Sequence, residues 1–409
     1  MDSGNRSSIK IIKSNFIISI CFFYTLTIYI FDAFLADNMF KFMGNTSLML
    51  PIKLLGLVLS FICATLYTPK ISRLELFILF ILFIYVSSVF LGTSDAYEAF
   101  NFWSNYIGYF AIYLVTKIYL EKYGYYKLTK SITFISFLVF LLSIYVDFGA
   151  YERAAFRSEV GGTYICSQLS VRKCGISSNP NILATMLLPI IFEYCYMLYN
   201  RLHTKTTLFV FFLCLLLLVL TGSKTVLFLS LLFLCVTFTK ISLLRQKSTF
   251  VILVSFSVLF LLIATIFGDY FYEIISSRFL SGNALDSSGR YEIYLGIFDK
   301  LNQNIIFGTG LDLREDYSQY FPGWLRLSDS VYGNILVSSG MFGFLIFTLT
   351  MFCFLATVIK KDRVRFLFLL VLSIGFLFED YLLRGFSFMF IMSVTFYLIS
   401  TNFKFGNTK

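Results

Sequence analysis

The sequence is poor in charge and contains a single histidine. Charged residues make up 14% of the 409 positions, whereas soluble domains average about 25% charged residues. By contrast, 58% of the residues are hydrophobic, and the mean hydropathy is +0.80. This composition excludes an ordinary soluble fold and predicts a chain that lies mostly within a lipid bilayer.

Several familiar catalytic signatures are also missing. The chain has no DxD pair to hold a metal-bound sugar nucleotide, no HExxH zinc motif and no GxSxG nucleophile turn. The one histidine, His203, stands in a short basic stretch beside Arg201 and Lys205, where a solvated side chain is expected. Any chemistry therefore has to rely on Arg, Lys, Asp, Glu and Tyr side chains.

Apolar runs long enough to cross a bilayer recur along the whole chain. We interpret residues 1–409 as a single integral membrane domain, with the first run retained because no cleavage site follows it. Since a transmembrane helix needs about 20 apolar residues, twelve spans are predicted, at roughly 15–36, 48–67, 74–92, 102–120, 131–149, 180–199, 207–222, 225–240, 249–268, 331–358, 366–382 and 386–402.

The basic residues separate between the two sides of these spans. Cytoplasmic loops are enriched in Lys and Arg, and one set of segments holds more than half of the 33 basic residues. That set predicts both termini in the cytoplasm, and it explains the net charge of +10 without a nucleic-acid partner. Its basic residues are Arg6, Lys10, Lys13, Lys70, Arg73, Lys117, Lys122, Lys127, Lys130, Arg201, Lys205, Lys240, Arg245, Lys247, Lys360, Lys361, Arg363, Arg365, Lys404 and Lys409, and its acids are Asp2, Glu75, Glu121 and Asp362.

Two long polar stretches, 147–179 and 269–330, fall on the opposite, periplasmic side. Loops of this length usually carry function, so we expect the chemistry on that face. The predicted fold class is an all-α polytopic membrane protein with about twelve transmembrane helices and two large periplasmic loops. The second loop is expected to form a partly helical cap.

The first outer loop contains two cysteines, Cys166 and Cys174. They are eight positions apart in an oxidising compartment, which predicts a disulfide. A zinc pair is the alternative, although neither outer loop offers a partner histidine or a further cysteine.

Charged residues in the outer loops and at the membrane boundary form the pool of candidate site residues. Guanidinium groups bind phosphate oxygens in a bidentate way, so a group of arginines at the bilayer surface suits a diphosphate. For any single loop arginine, an ordinary solvated charge is the alternative. Ionisable residues inside a membrane are costly, and Glu193 in the sixth predicted span has either a structural or a functional partner.

Four short stretches occur in a specific order at the predicted outer edges of the spans. They are Cys174–Ala184 with its Asn179-Pro180-Asn181 step, the turn Leu220–Thr225, the segment from Gly289-Arg290-Tyr291 to the Phe307-Gly308-Thr309-Gly310 turn, and the segment from Asp329 to Gly343. Together they resemble the O-antigen polymerase and ligase superfamily, the Wzy and WaaL group. In Leu220–Thr225 a lysine, Lys224, stands where the family has arginine.

This resemblance implies transfer of a glycan from undecaprenyl diphosphate to an acceptor hydroxyl, at the periplasmic face of a bacterial inner membrane. The lipid diphosphate is already activated, so no cofactor, nucleotide sugar or metal is expected. A chain-length regulator and a flippase are possible partners. The resemblance implies catalytic roles for Asp329, Arg290, Glu379 and Glu152, and substrate-binding roles for Arg157, Arg278, Arg384, Lys224 and Arg172.

The residue at position 329 favours one branch of this superfamily. Ligases carry a histidine eleven positions before the first glycine of the next helix start, and Asp329 stands at that distance from Gly340. Aspartate there resembles an O-antigen polymerase. The alternatives are an O-antigen ligase, which moves polymer onto lipid A core, and a lipid-linked sugar transporter or flippase, a class that usually shows inverted repeats.

Overall fold

The computed structural model of this chain is a bundle of apolar helices. The described residues are almost entirely helical, which confirms the predicted all-α class. The ninth predicted span, His203 and nearly all of the second outer loop lie outside them. The structure describes residues 3–44, 49–91, 96–149, 151, 159–160, 163–164, 172–177, 179–202, 204–238, 305–308, 331–376 and 386–401.

The elements follow the predicted spans closely at most positions. In chain order the helices are α1 (Ser3–Ile30), α2 (Asp32–Met43), α3 (Met49–Tyr67), α4 (Arg73–Leu91), α5 (Ala96–Phe148), α6 (Pro180–Tyr199), α7 (Lys205–Thr221), α8 (Lys224–Phe238), α9 (Val331–Lys361), α10 (Arg363–Gly375) and α11 (Phe386–Ser400). In the first outer loop two short strands, β1 (Glu159–Val160) and β2 (Thr163–Tyr164), pair antiparallel.

Length and hydropathy support a polytopic membrane protein. Among the described residues, four helices are long and apolar enough to cross a bilayer, and a fifth crossing forms if the bent pair Asn15–Ile30 and Asp32–Met43 is one span. The twelve-span count stays a prediction. The four helices are Met49–Tyr67, Gly108–Phe148, Pro180–Tyr199 and Val331–Lys361.

The C-terminal boundary of the first predicted span, 15–36, is wrong. Helix α1 stops at Ile30, and α2 leaves it at an angle of 76°. Two aspartates lie in α2, and Asp32 pairs with Lys53 at 2.9 Å. Because ionised groups are costly in hydrocarbon, this charged segment bends away from the direction of the span.

Helix α5 contains the fourth and fifth predicted spans as two antiparallel halves. The hydroxyls of Tyr119 and Ser131 are 2.9 Å apart, whereas twelve residues of straight helix would separate them by about 18 Å. The chain reverses at Gly124, which has φ 78° and ψ 168°. Only glycine adopts this conformation readily.

Helix α9, which contains the tenth predicted span, 331–358, also folds back on itself. The ring of Tyr332 lies 6.1 Å from that of Phe347, although fifteen positions of straight helix would span about 22 Å. The reversal is at Gly340, with φ 65° and ψ −169°. A short segment, Val331 to Ser339, therefore packs beside the longer segment from Met341 to Lys361.

Helix α6 lies at the centre of the bundle. Nearly every residue from Leu183 to Leu198 is buried, and α7, α8 and α11 pack around it. Helix α5 packs against α1, α3, α4, α7 and α11. We call the two ends of the bundle the Gly124 end and the Gly222 end, after the turns found there, and the sequence predicts them to be cytoplasmic and periplasmic respectively.

A buried ion pair joins α6 to α10 near the Gly124 end. Arg365 is completely buried, and its Nη2 donates to Glu193 Oε1 at 2.5 Å. The guanidinium Nε donates to Thr395 Oγ1 at 2.7 Å, and the Tyr125 hydroxyl donates to Glu193 Oε2 at 2.8 Å. Glu193 thus has a structural partner. Arg365 was assigned to a cytoplasmic segment, and the structure adds that its side chain is buried inside the bundle.

A second buried pair joins α4 to α5 near the same end. Lys117 Nζ donates to Glu75 Oε1 at 2.9 Å, both side chains are buried, and the Tyr113 hydroxyl also donates to Glu75. Both residues were assigned to the predicted cytoplasmic side of the membrane, and the structure adds that they are buried inside the bundle. Each charge has an opposite partner because an isolated buried charge is too costly to keep.

Candidate functional site

A tight turn between α7 and α8 forms the base of the candidate site. Helix α7 ends at Thr221, and Gly222 caps it in the left-handed conformation with φ 59°. Helix α8 begins at Lys224. The hairpin predicted at Thr221–Lys224 is therefore confirmed, and Lys224 opens the eighth helix rather than closing the seventh.

The end of the first outer loop binds the last carbonyls of α7. Lys173 N donates to Leu220 O at 3.0 Å, and Arg172 Nε donates to Thr221 O at 2.9 Å. The last carbonyls of a helix lack partners inside the helix and favour positive charge. The guanidinium also donates through Nη2 to Asn181 Oδ1 at 2.5 Å, so Arg172 ties α7 to the start of α6.

The start of α6 explains the Asn179-Pro180-Asn181 step seen in the sequence. The Asn179 side chain accepts from Asn181 N at 2.8 Å, and Pro180 occupies the first helical turn. Asparagine is a preferred N-cap residue, and proline at the first position costs no hydrogen bond. The predicted helix start is thus confirmed.

The stretch between Lys173 and α6 is fixed on the end of α5. Gly175 N donates to Asp147 Oδ2 at 2.8 Å, and Ile176 N donates to Ser143 Oγ at 3.3 Å. Gly175 has φ 53°, and a Cβ there would lie 2.7 Å from Leu183 Cδ2. This position requires glycine both for its backbone conformation and for space.

We call this arrangement the Gly222 junction: Asp147, Arg172–Ser177, Asn179–Asn181 and Thr221–Lys224. It carries positive charge, because Arg172 contacts the end of α7 and the start of α6, and Lys224 is the first residue of α8. The Lys173 ammonium lies 5.1 Å from the centre of the Phe148 ring at the end of α5. Helix starts favour anions, so the start of α8 with Lys224 is suited to an anionic ligand.

A second contact, the Gly308–Gly340 junction, joins the second outer loop to the turn of α9. Met341 N donates to Ile305 O at 2.8 Å, and Phe342 N donates to Ile306 O at 3.1 Å. Gly308 and Gly340 both have positive φ. A Cβ on Gly308 would lie 2.5 Å from Gly340 N, and a Cβ on Gly340 would lie 2.6 Å from Gly308 N. The two backbones meet closely because neither residue has a side chain.

A third contact fixes the short segment of α9 to the end of α10. Val331 N donates to Phe376 O at 2.8 Å, and Val331 is fully buried. Asp329 stands two positions before Val331, and Glu379 stands three positions after Phe376. Both candidate carboxylates lie outside the described residues.

Sequence reasoning missed a polar contact between α2 and the start of the first outer loop. The Tyr151 hydroxyl donates to Asp37 Oδ2 at 2.7 Å, and Lys41 Nζ lies 3.4 Å from the centre of the Tyr151 ring. Asp37 is only 2% exposed. Asp37 stands one position after the predicted span 15–36, and no local pattern in the sequence pairs it with Tyr151, although a buried acid needs a partner.

Two of the predicted substrate-binding residues, Arg172 and Lys224, are described and belong to the Gly222 junction. Their roles stay predictions. Among the described residues no three His, Cys, Asp or Glu side chains could hold a metal ion, and the expectation of metal-independent chemistry stays a prediction. The other predicted site residues lie outside the described part of the chain: Asp329, Arg290, Glu379, Glu152, Arg157, Arg278 and Arg384.

Cys174 is disulfide-bonded in the structure. Its predicted partner, Cys166, lies outside the described residues, and the described cysteines with free thiols are Cys21, Cys63, Cys195, Cys214, Cys235 and Cys353.

We predict that Cys166 and Cys174 resist alkylation in non-reduced membranes and react after reduction. Mass spectrometry of the 166–174 peptide measures this, and free alkylation of both thiols before reduction would refute the pairing.

One comparison with known proteins bears on this geometry. A family model described as O-antigen ligase matches residues 209–348. The match covers the Thr221–Lys224 turn and both sides of the Gly308–Gly340 junction. No curated protein and no solved structure matches significantly. The family match supports membership of this chain in the O-antigen polymerase and ligase superfamily.

Proposed function

We propose that this protein polymerises lipid-linked oligosaccharide repeats into O-antigen or a similar surface polysaccharide. The observation that carries the proposal is the Gly222 junction, where Arg172 binds the end of α7 and Lys224 begins α8. Fixed cations at the end of a membrane bundle suit the diphosphate of an undecaprenyl-linked glycan. The family match supports a polymerase or ligase and gives no support to a flippase.

The proposed reaction is one glycosyl transfer at the periplasmic face of the inner membrane. A hydroxyl of the incoming lipid-linked repeat attacks the anomeric carbon of the growing chain. A new C–O bond forms, the bond to the diphosphate breaks, and undecaprenyl diphosphate leaves with the bonding electrons. The basic residues of the Gly222 junction stabilise this leaving group. Asp329 accepts the proton of the attacking hydroxyl, with Glu379 and Glu152 as alternative bases.

Further arginines of the outer loops have proposed roles in the same reaction. Arg290 neutralises charge on the diphosphate as it leaves, and Arg157, Arg278 and Arg384 bind the diphosphate or the glycan. A flippase supplies the lipid-linked repeats, and a chain-length regulator is a further partner. No cofactor is required, because the diphosphate bond is already activated.

The choice of polymerase over ligase depends on Asp329. The ligase pattern has a histidine at this position, and this chain has none there. The Val331–Phe376 contact joins the helix that follows Asp329 to the end of α10.

Deletion of the gene followed by a lipopolysaccharide gel separates the candidate functions. Loss of a polymerase leaves lipid A core carrying one repeat. Loss of a ligase leaves core alone while polymer accumulates on its lipid carrier, and loss of a flippase leaves core alone without that polymer. The proposal expects the first pattern, and either of the others would refute it.

Substitution of Asp329 and Arg290 tests the mechanism. We expect Asp329→Asn to abolish long chains at normal protein abundance, because the change is nearly isosteric and removes only the charge. Arg290→Lys is expected to slow polymerisation about a hundredfold, since a lysine lacks the planar pair of donors. The measurement is the O-antigen ladder beside an immunoblot. A normal ladder from Asp329→Asn would assign that residue to helix capping, a role asparagine also fills.

A further inference from the structure

A basic surface surrounds the turn at Gly124. The turn is flanked by lysines, and each of three ammonium groups lies over a tyrosine ring. The distances from Nζ to the ring centre are 5.6 Å for Lys122 over Tyr67, 4.2 Å for Lys127 over Tyr123 and 4.6 Å for Lys130 over Tyr126. We call these six residues, together with Lys70, the Gly124 surface.

Helix α1 contacts this surface. The Tyr123 hydroxyl donates to Asn15 O at 2.5 Å, so α1 enters the bundle there. Glu121 is the nearby acid, and its carboxylate accepts the backbone N–H of Lys70 at 3.1 Å.

The apolar neighbours of the Gly124 surface show what kind of molecule fits it. Exposed side chains continue from it along the bundle, including Leu66 at 68% exposure on α3 and Phe134 at 58% on α5. A soluble anion would satisfy the lysines and leave these apolar side chains uncovered. A phospholipid covers both, because its charged headgroup is joined to acyl chains.

We propose that the Gly124 surface binds the headgroups of anionic phospholipids. Tyrosine rings favour the headgroup level of a bilayer, and lysine stems extend along such rings with the ammonium group in water. A ring beneath each ammonium holds it in place without using its N–H donors. Basic clusters next to a membrane helix attract anionic lipids by about 1 kcal/mol per residue, which is roughly a fivefold change in affinity.

Native mass spectrometry of the full chain in detergent tests this proposal, with dioleoyl phosphatidylglycerol and dioleoyl phosphatidylcholine titrated separately. We expect tighter binding of phosphatidylglycerol. The triple variant Lys122→Gln, Lys127→Gln, Lys130→Gln should weaken it about a hundredfold, at roughly fivefold per lysine. Lys205→Gln is the matched control, because Lys205 is exposed at the same end of the bundle, as the first residue of α7.

A salt series keeps the test decisive if the triple variant is unstable. Ionic attraction to an exposed headgroup is screened at high ionic strength, so phosphatidylglycerol binding by the unchanged protein should fall steeply between 0.1 and 1 M salt, about the range over which the Debye length shrinks from 10 to 3 Å. Equal affinity for the two lipids, or salt-independent binding, would overturn the proposal. So would equal losses in the triple variant and in Lys205→Gln. None of these outcomes depends on glycan transfer.

Discussion

Replacement of Arg365 by alanine is expected to destabilise the protein by about 3–5 kcal/mol, the usual cost of removing one partner from a buried ion pair. Arg365 is fully buried, and its guanidinium contacts Glu193, Thr395 and the faces of Phe192 and Tyr196. Without it, the Glu193 carboxylate would stay inside the bundle without its cation. The measurements are the thermal midpoint in detergent and the abundance in membranes.

A nearby arginine provides the control for this prediction. Arg363 precedes Arg365 by two positions in α10 and is exposed, so Arg363→Ala should change the midpoint little. The double variant Glu193→Leu, Arg365→Met should recover much of the loss, because an apolar pair of similar volume often replaces a buried ion pair at little cost. Equal midpoints for Arg365→Ala and Arg363→Ala would contradict the structural role.

Substitution of Gly308 or Gly340 by alanine is expected to abolish polymer formation nearly completely. A methyl group at either position would lie within 2.6 Å of the opposite backbone, and both residues have positive φ, which side chains disfavour. The junction would separate, and the turn that follows Val331–Ser339 would lose its contact with the second outer loop. The measurements are the O-antigen ladder and the membrane abundance of each variant.

Gly56→Ala is the matched control for the glycine variants. A Cβ at Gly56 would lie 3.6 Å from the Tyr24 ring, an ordinary contact, and alanine is favoured in a helix. The O-antigen ladder of this variant should be normal.

A pair of cysteine substitutions at Phe307 and Phe342, whose rings are 6.1 Å apart, tests the Gly308–Gly340 junction without a steric clash. The two cysteines should form a disulfide on oxidation, and the cross-linked protein should remain active. A cross-link that blocks activity would mean that the junction has to open during the reaction.

The sequence alone determined the membrane class, most helix bounds and the tight turns. Long apolar runs have one stable solution in a bilayer, because a helix satisfies its own backbone hydrogen bonds. The Asn179-Pro180 step and Gly222 act locally as a helix start and a helix end, so their effect could be read without knowledge of distant contacts. The local sequence did not predict the reversal of α9, since Gly340 stands within a continuous apolar run.

The placement of charges was decided only by the tertiary structure. Glu193 and Arg365 are 172 positions apart, and nothing near either residue in the sequence identifies the other. Arg365 and Lys117 stand beside basic residues that are exposed, and the same pattern of Lys and Arg therefore describes both solvated and buried charges. Each charge is buried only because folding brings an opposite partner to it. Local patterns determine helices, whereas the pairing of charges depends on which helices pack together.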